Sequence, residues 1–132
     1  MRVLVLMEPR LTQITPFVPC SSLQAQISFY RDVLGFAVGF EAENYAFLRC
    51  DSVAIRLVEV DAAIDLRSPE REGSFYVDVS GIDALYDRLR PKLDNLPSGR
   101  VRAPFDQAYG QREFHVADED CTLVFFGEAV QP

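Results

Sequence analysis

Two side chains that can move a proton lie two positions apart. Glu113 and His115 flank Phe114 in a run with strand character, so both project from the same face of a strand. A carboxylate beside an imidazole can orient it and let it act as a general base. The same pair can also be a structural contact with no part in chemistry. Glu113 and His115 are therefore candidates for acid–base catalysis, with a purely structural role as the alternative.

Neither a metal centre nor thiol chemistry is expected. Cys20, Cys50 and Cys121 are widely spaced and form no Cys-x-x-Cys motif, so we expect buried or inert thiols. His115 is the sole histidine and cannot assemble a metal site alone. An odd number of cysteines without a disulfide pattern favours a reducing cytoplasm.

Arg56 is a charged residue in an otherwise apolar strand pattern. Val53, Ile55 and Leu57 alternate with it and define one face of that strand. Three roles are open for Arg56. It can bind an anionic group of a ligand, pair with Asp78 or Glu113, or lie at a solvated edge.

Size and charge narrow the classes of partner. The chain has 132 residues, the length of one compact domain, and a net charge of −7 from 20 acidic and 13 basic residues. This charge disfavours nucleic acid, whose binding requires neutralised phosphates, and mildly favours cationic partners. No apolar stretch approaches the roughly 20 residues that cross a bilayer, so no membrane partner is expected.

The elements that position these residues occur twice. Leu23 and Ile82 lie 59 positions apart (82 − 23), as do Thr15 and Ser74 (74 − 15), and each pair opens a similar strand and helix pattern. We predict a first module over about 11–60, a linker over 61–73 and a second module over 74–129, together forming one domain over 1–132.

Each predicted module has the order βαβββ. In the first, a helix begins at Ser21 or Ser22 and ends at Gly35, and Ser21 with Gln24 has capping-box spacing. In the second, a helix capped by Ser80 runs from about Gly81 to Leu89 and stops at Pro91. The predicted strands span 11–19, 36–41, 45–50 and 53–59, then 74–79, 100–105, 111–117 and 122–127.

Three motifs in this order carry a family resemblance. They are Phe29 to Phe36 (FYRDVLGF), Val79 to Tyr86 (VSGIDALY) and Tyr109 to Phe114 (YGQREF). The chain resembles the vicinal oxygen chelate superfamily of glyoxalases, dioxygenases and bleomycin-resistance proteins, and most of all the last branch. The resemblance implies an α+β fold, in which paired modules form a curved, mostly antiparallel sheet with a cleft and outer helices. It also implies a homodimer. The family's Asp-Pro-x-Gly-Asn turn is replaced here by residues 118–122 (DEDCT), for which we expect a different local geometry.

The resemblance also indicates where metal-dependent members hold their ion. Carried over by position, those points are Thr15, Arg56, Ser74 and Phe125. None is a credible ligand for a divalent cation, and a guanidinium would repel one. We therefore predict no metal and no cofactor.

What remains is a cleft lined with aromatic and polar side chains. The bleomycin-resistance branch stacks its drug on aromatic residues whose matching positions are Phe40 and Tyr45. The full set of predicted ligand-binding residues is Phe40, Tyr45, Phe47, Arg56, Tyr76, Tyr109, Glu113 and Phe125. The main hypothesis is metal-free binding and sequestration of a small, antibiotic-like organic ligand that is cationic or aromatic. One alternative is a metal-independent isomerase or lyase that uses Glu113, His115 or Asp78 as its base. Another is a ligand sensor or partner-binding domain that uses the same cleft.

Overall fold

The computed structural model describes residues 8–131, so residues 1–7 and 132 of the predicted domain lie outside the described residues. The described part contains, in order, β1 (Phe17–Cys20), α1 (Leu23–Asp32), β2 (Ala37–Glu41), β3 (Tyr45–Cys50), β4 (Val53–Glu59), β5 (Ser74–Asp78), α2 (Ile82–Leu93), β6 (Val101–Asp106), β7 (Gln111–Ala117) and β8 (Leu123–Ala129).

The two halves share one topology. The first sheet has the strand order β1-β4-β3-β2 and the second has the order β5-β8-β7-β6. In each, the first strand pairs in parallel with the last, and the other pairs are antiparallel. Leu23 and Ile82 are the first residues of α1 and α2, so the repeat of 59 positions (82 − 23) relates equivalent points of the structure. The predicted α+β fold with two βαβββ units is confirmed, and each unit forms its own four-stranded sheet.

Helix α1 forms as its apolar spacing predicts. Leu23, Ile27 and Tyr30 lie on one buried face. The Ser22 hydroxyl caps the helix by accepting a hydrogen bond from the Ala25 amide at 3.2 Å. Gly35 follows the helix with a φ of 83°, a conformation that glycine adopts without strain.

Helix α2 differs from the prediction at both ends. It continues through Pro91 to Leu93, because a proline in the last turn removes one hydrogen bond while Leu89 and Leu93 still bury their side chains. Ser80 is not its cap. The Glu128 carboxylate accepts hydrogen bonds from the amides of Gly81 and Ile82 at 2.8 and 3.3 Å. A carboxylate on β8 therefore caps the positive end of this helix.

Several strand boundaries also move. β1 begins only at Phe17, and residues 11–14 are exposed. β2 and β6 each begin one residue later than predicted, at Ala37 and Val101. β8 runs two residues farther, to Ala129, because it still pairs with Gln111 of β7 there. The segment 61–73, predicted as the linker, contains no helix or strand.

A buried polar joint connects the two modules. The Tyr30 hydroxyl donates to Asp118 Oδ2 at 2.8 Å. Asp120 accepts hydrogen bonds from the amide and hydroxyl of Ser21 at 3.1 and 2.6 Å and from Gln26 Nε2 at 3.2 Å. Ser21 therefore binds the other module and does not form the predicted capping box. These bonds fix α1 against the turn over residues 118–122.

The turn over residues 118–122 contains a residue in the left-handed conformation that is not glycine. Cys121 has a φ of 67° and an exposed side chain, so of the two expected alternatives, a buried or an inert thiol, the buried one does not apply at this position. It lies where the family motif has its glycine, so a residue with a Cβ takes a conformation that glycine adopts more readily. Cys20, in contrast, is fully buried, and burial together with nearby Asp120 raises its pKa to about 12. Cys20 is therefore an inert thiol.

Within residues 8–131, neither helix has the length and apolar character required to cross a membrane.

Candidate functional site

The first sheet has one covered face and one open face. Val18, Leu48 and Leu57 point into the core, which α1 covers. The opposite face carries a row of side chains that the strand register places side by side, namely Phe17, Arg56, Phe47 and Phe40. We call this surface the first open face. Phe17 is 69% exposed and Phe40 is 59% exposed. Large aromatic side chains with this exposure are available for contact with another molecule.

Arg56 lies within this row among aromatic groups. Its Nη1 donates to the hydroxyl of Tyr45, and its guanidinium carbon is 5.1 Å from the centroid of the Phe47 ring. Three roles were open for Arg56. Within residues 8–131 it forms no ion pair with Asp78 or Glu113, and Tyr45 is its side-chain hydrogen-bond partner. It does not lie at a solvated edge, since it is half-buried on an inner strand. Binding of an anionic ligand group is the role that stays open.

The second sheet has a corresponding open face. Its register places Tyr76, Phe125, His115 and Arg102 in one row, which we call, with its neighbours, the second open face. The Phe125 ring lies 6.1 Å from Tyr76 and 4.1 Å from His115 between centroids. Tyr76 also lies over Gly127, where a Cβ would fall 1.7 Å from the tyrosine oxygen. Glycine at this position therefore allows the ring to lie flat on the sheet.

Glu113 is fully buried at the base of the second open face. Its Oε1 contacts His115 Nε2 at 2.8 Å and accepts from Gln107 Nε2 at 3.1 Å. Its Oε2 accepts from the Tyr109 hydroxyl at 2.5 Å. Burial alone would raise the pKa of Glu113, but the hydrogen bonds from Tyr109, His115 and Gln107 outweigh it and lower the pKa. Both carboxylate oxygens of Glu113 thus have hydrogen-bond partners, and the group has little tendency to take up a proton.

The two tyrosines next to this carboxylate are kept neutral. The Tyr109 pKa is raised chiefly by its hydrogen bond to Glu113. The Tyr76 pKa is raised by burial first and then by Glu113. Both phenols are therefore hydrogen-bond donors at neutral pH, and the Tyr76 hydroxyl donates to Gln111 Oε1 at 3.2 Å.

The predicted ligand-binding residues fall into two groups. The first open face holds Phe40, Tyr45, Phe47 and Arg56, and the second holds Tyr76, Glu113 and Phe125 with Tyr109 beside them. The shared face of Glu113 and His115 is confirmed. That any of these residues binds a ligand stays a prediction.

Sequence reasoning missed three side chains on these surfaces. The Arg49 guanidinium carbon is 5.3 Å from the centre of the Phe47 ring, and that of Arg102 is 3.5 Å from the centre of the Phe105 ring. Gln107 binds Glu113. Arg49 could have been found, because a residue two positions after Phe47 in a strand shares its face.

The four family metal positions do not suit a divalent ion here. Thr15 precedes β1, and its hydroxyl accepts a hydrogen bond from Gln13 at 2.7 Å. Arg56 brings a positive charge, and Phe125 has no donor atom for a metal. Over residues 8–131, no three His, Cys, Asp or Glu side chains come close enough to hold a metal. The residues present do not fit the family's metal.

Cavities between the modules mostly avoid the open faces. One, of about 460 Å³, is lined by Phe36, Val53, Leu85 and Phe126 among others, and by none of the predicted ligand-binding residues. Another, of about 380 Å³, is lined by Tyr76 of the second open face, among others. Apart from Tyr76, the predicted aromatic residues therefore form open surfaces, which differ from a closed pocket in requiring a second wall.

Comparison with known proteins identifies the family. The model of the glyoxalase/bleomycin resistance protein/dioxygenase superfamily matches residues 10–124. The chain belongs to this superfamily. No curated protein matches it.

Solved structures of superfamily members share the fold. A bleomycin-binding protein in complex with bleomycin has a TM-score of 0.76 at 21% identity, covering 89% of this chain and 98% of that one. The bleomycin-binding protein of Streptomyces verticillus with copper(II)-bleomycin has a TM-score of 0.75 at 19% identity, covering 95% and 100%. A lactoylglutathione lyase from Agrobacterium tumefaciens has a TM-score of 0.67 at 19% identity, covering 91% and 96%. Two bleomycin-binding proteins and a lactoylglutathione lyase thus share the fold of this chain.

Proposed function

We propose that this protein binds a small aromatic organic molecule on its open sheet faces and sequesters it without a metal and without turnover. The observation that carries the proposal is the row of Phe17, Phe47 and Phe40 on the first open face, with two of its rings more than half exposed. Exposed rings on a rigid strand scaffold favour stacking on a flat ligand. The structural likeness to bleomycin-binding proteins supports the same function and the bleomycin-resistance branch of the superfamily.

The proposal includes a homodimer in the cytoplasm. Phe17, Phe40 and Tyr109 are 69%, 59% and 63% exposed, so a single chain leaves much aromatic surface in water. A second copy that covers part of this surface would supply the missing wall of a groove. Native mass spectrometry should give twice the chain mass, and a monomer at micromolar concentration would contradict this part of the proposal.

Catalysis by Glu113 and His115 is the second candidate function. The 2.8 Å contact between them favours it, because such a carboxylate can orient an imidazole that acts as base. Sequestration is favoured because both oxygens of Glu113 are already hydrogen-bonded, which leaves the carboxylate with little tendency to take up a proton. NMR spectra of a bound compound, recorded over hours with chelator present, distinguish catalysis from sequestration. New product signals that disappear in both Glu113→Gln and His115→Ala would establish the enzyme and overturn sequestration.

The binding experiment is a calorimetric titration with bleomycin and with simple naphthalene derivatives, in the presence of chelator. We expect binding of at least one compound and a roughly fivefold loss of affinity in Phe40→Ala, since an aromatic contact is worth about 1 kcal/mol. Ile64→Ala is the control, because Ile64 is also an exposed apolar residue but lies in the segment between the modules. Absence of binding by every compound, or equal loss in both variants, would refute the proposal.

A further inference from the structure

The charges on the first open face differ from those of the whole chain. The chain carries a net charge of −7, which by itself favours a cationic ligand. The open face presents two guanidinium groups, those of Arg49 and Arg56, whose carbons lie 5.3 and 5.1 Å from the centroid of the Phe47 ring. Bulk charge is screened within about 8–10 Å at ordinary ionic strength, so the groups in direct contact decide which ligand binds.

Neither guanidinium has an acidic partner on this face. Across residues 8–131, no carboxylate lies within ion-pair distance of Arg49 or Arg56. Arg56 uses one donor, to the Tyr45 hydroxyl. A guanidinium has five N–H donors, so most of the donors of Arg56 remain free to bind another group.

The acidic residues of the neighbouring elements point elsewhere. Glu41 of β2 accepts a hydrogen bond from Gln24 of α1, and Glu59 of β4 accepts one from the Leu23 amide, so both lie on the helix side. Glu43 and Asp51 are exposed in the turns at the two ends of β3. The strands of the first sheet thus place only positive charge on the open face.

Arginine next to an aromatic ring suits one class of ligand. A half-buried guanidinium without a counter-ion is costly, and a ligand carboxylate, sulfonate or phosphate can engage it through two parallel hydrogen bonds. The rings of Phe47 and Phe40 lie beside it in the same row and can take the flat part of that ligand. Charge and shape therefore point to one molecule that is both planar and anionic.

We infer that the ligand of this protein is an aromatic anion, held by Arg56, with Arg49 beside it, and stacked on Phe47 and Phe40. The inference rests on the proposed binding function and replaces the cationic ligand that the net charge suggested. In a homodimer, an acidic group of the second copy would compete with the ligand for the N–H donors of Arg56. The inference therefore requires that an aromatic anion added in solution binds measurably.

The test is a titration with three probes that share one ring system, namely naphthoate, naphthamide and naphthylmethylammonium. We expect naphthoate to bind at least tenfold more tightly than the other two, since hydrogen bonds to a charged group are the strong ones. In Arg56→Met this preference should disappear. In Arg49→Met it should fall by a smaller factor, and because Arg49 is exposed, this variant keeps the fold intact.

Arg90→Met is the matched control. It changes the net charge by the same amount as Arg56→Met, but Arg90 lies on α2 in an exposed ion pair with Asp94. The preference for naphthoate should be unchanged in this variant. Loss of preference in both variants would mean that bulk charge selects the ligand and would overturn the inference.

The outcomes separate this inference from the proposed function. Equal binding of all three probes, or tighter binding of the ammonium, would overturn the aromatic anion and leave aromatic binding intact. No binding of any probe at millimolar concentration would overturn both. Tight naphthoate binding that depends on Arg56 but not on Arg90 would establish the ligand class.

Discussion

The joint between the modules gives the sharpest test of the structure. Tyr30→Phe removes only the hydroxyl that donates to Asp118 Oδ2 at 2.8 Å. The other oxygen, Oδ1, accepts from the amides of Asp120 and Thr122 at 2.9 and 3.0 Å and keeps both partners. Asp118 is 2% exposed, so water cannot readily replace the lost donor. A hydrogen bond to a buried charge is worth about 1.5–3 kcal/mol, and we expect the free energy of unfolding to fall by that amount.

The pH dependence of this effect has a definite sign. Burial raises the pKa of Asp118 above its ordinary 3.8, and hydrogen bonds from Tyr30 and the turn offset part of the rise. Without the hydroxyl the pKa of the folded state rises further, so the variant recovers stability as pH falls through it. The difference between wild type and Tyr30→Phe should therefore shrink on acidification, towards the roughly 0.5–1.5 kcal/mol of a neutral hydrogen bond.

Urea unfolding followed by circular dichroism, at neutral and acidic pH, measures both quantities. Tyr86→Phe is the matched control, because the Tyr86 ring packs on Phe114 at 5.1 Å and its hydroxyl has no hydrogen-bond partner within residues 8–131. It should cost less than about 0.5 kcal/mol. A double-mutant cycle with Asp118→Asn should give a coupling of at least about 1 kcal/mol. A coupling near zero, or equal losses in the two tyrosine variants, would refute the buried joint.

Three further predictions follow from single contacts. Glu128→Gln weakens the cap of α2 and should cost about 1 kcal/mol in urea unfolding, whereas no loss would show that the cap is not used. Gly127→Ala displaces the exposed Tyr76 ring, which can swing away, so the melting temperature should barely change while ligand affinity falls; a large loss of stability would contradict this. The folded-state pKa of Glu113 lies below its ordinary 4.5, so Glu113 adds stability above that pH that is lost as pH falls through the folded pKa. Glu113→Gln should therefore flatten the acid limb of the stability curve, and an unchanged limb would be evidence against the low pKa.

Local patterns were sufficient for most of the fold. The start of α1 at Leu23 and the strands Tyr45–Cys50, Val53–Glu59 and Gln111–Ala117 follow from alternation and capping within a few residues. Pro91 misled the prediction of α2, because a helix breaker near the end of a helix is tolerated where the next turn buries apolar side chains. The Glu128 cap could not be predicted from local patterns, since Glu128 lies 47 positions along the chain from Gly81, whose amide it binds.

For the candidate site, the sequence predicts on which face of a strand a side chain lies but not which residues it contacts. Alternation placed Glu113 with His115, and this placement depends only on a period of two. The partners of Arg56 and Glu113 depend on register between strands and on the loop that carries Tyr109. A register cannot be derived from one strand alone, so three roles stayed open for Arg56 although its strand was predicted correctly.

The parallel closure of each sheet constrains the order in which the chain can fold during synthesis. β1 finds its partner β4 within the first 59 residues, so the first sheet can form early. β5 must wait for β8, which is made only after α2 and two further strands, and until then β5 exposes an unpaired edge. Tyr30 can contact Asp118 only after residue 118 has left the ribosome. The first module therefore spends most of translation without its joint. Protease protection of stalled nascent chains should therefore appear in two steps, first for the early sheet and then, together, for the late sheet and the joint.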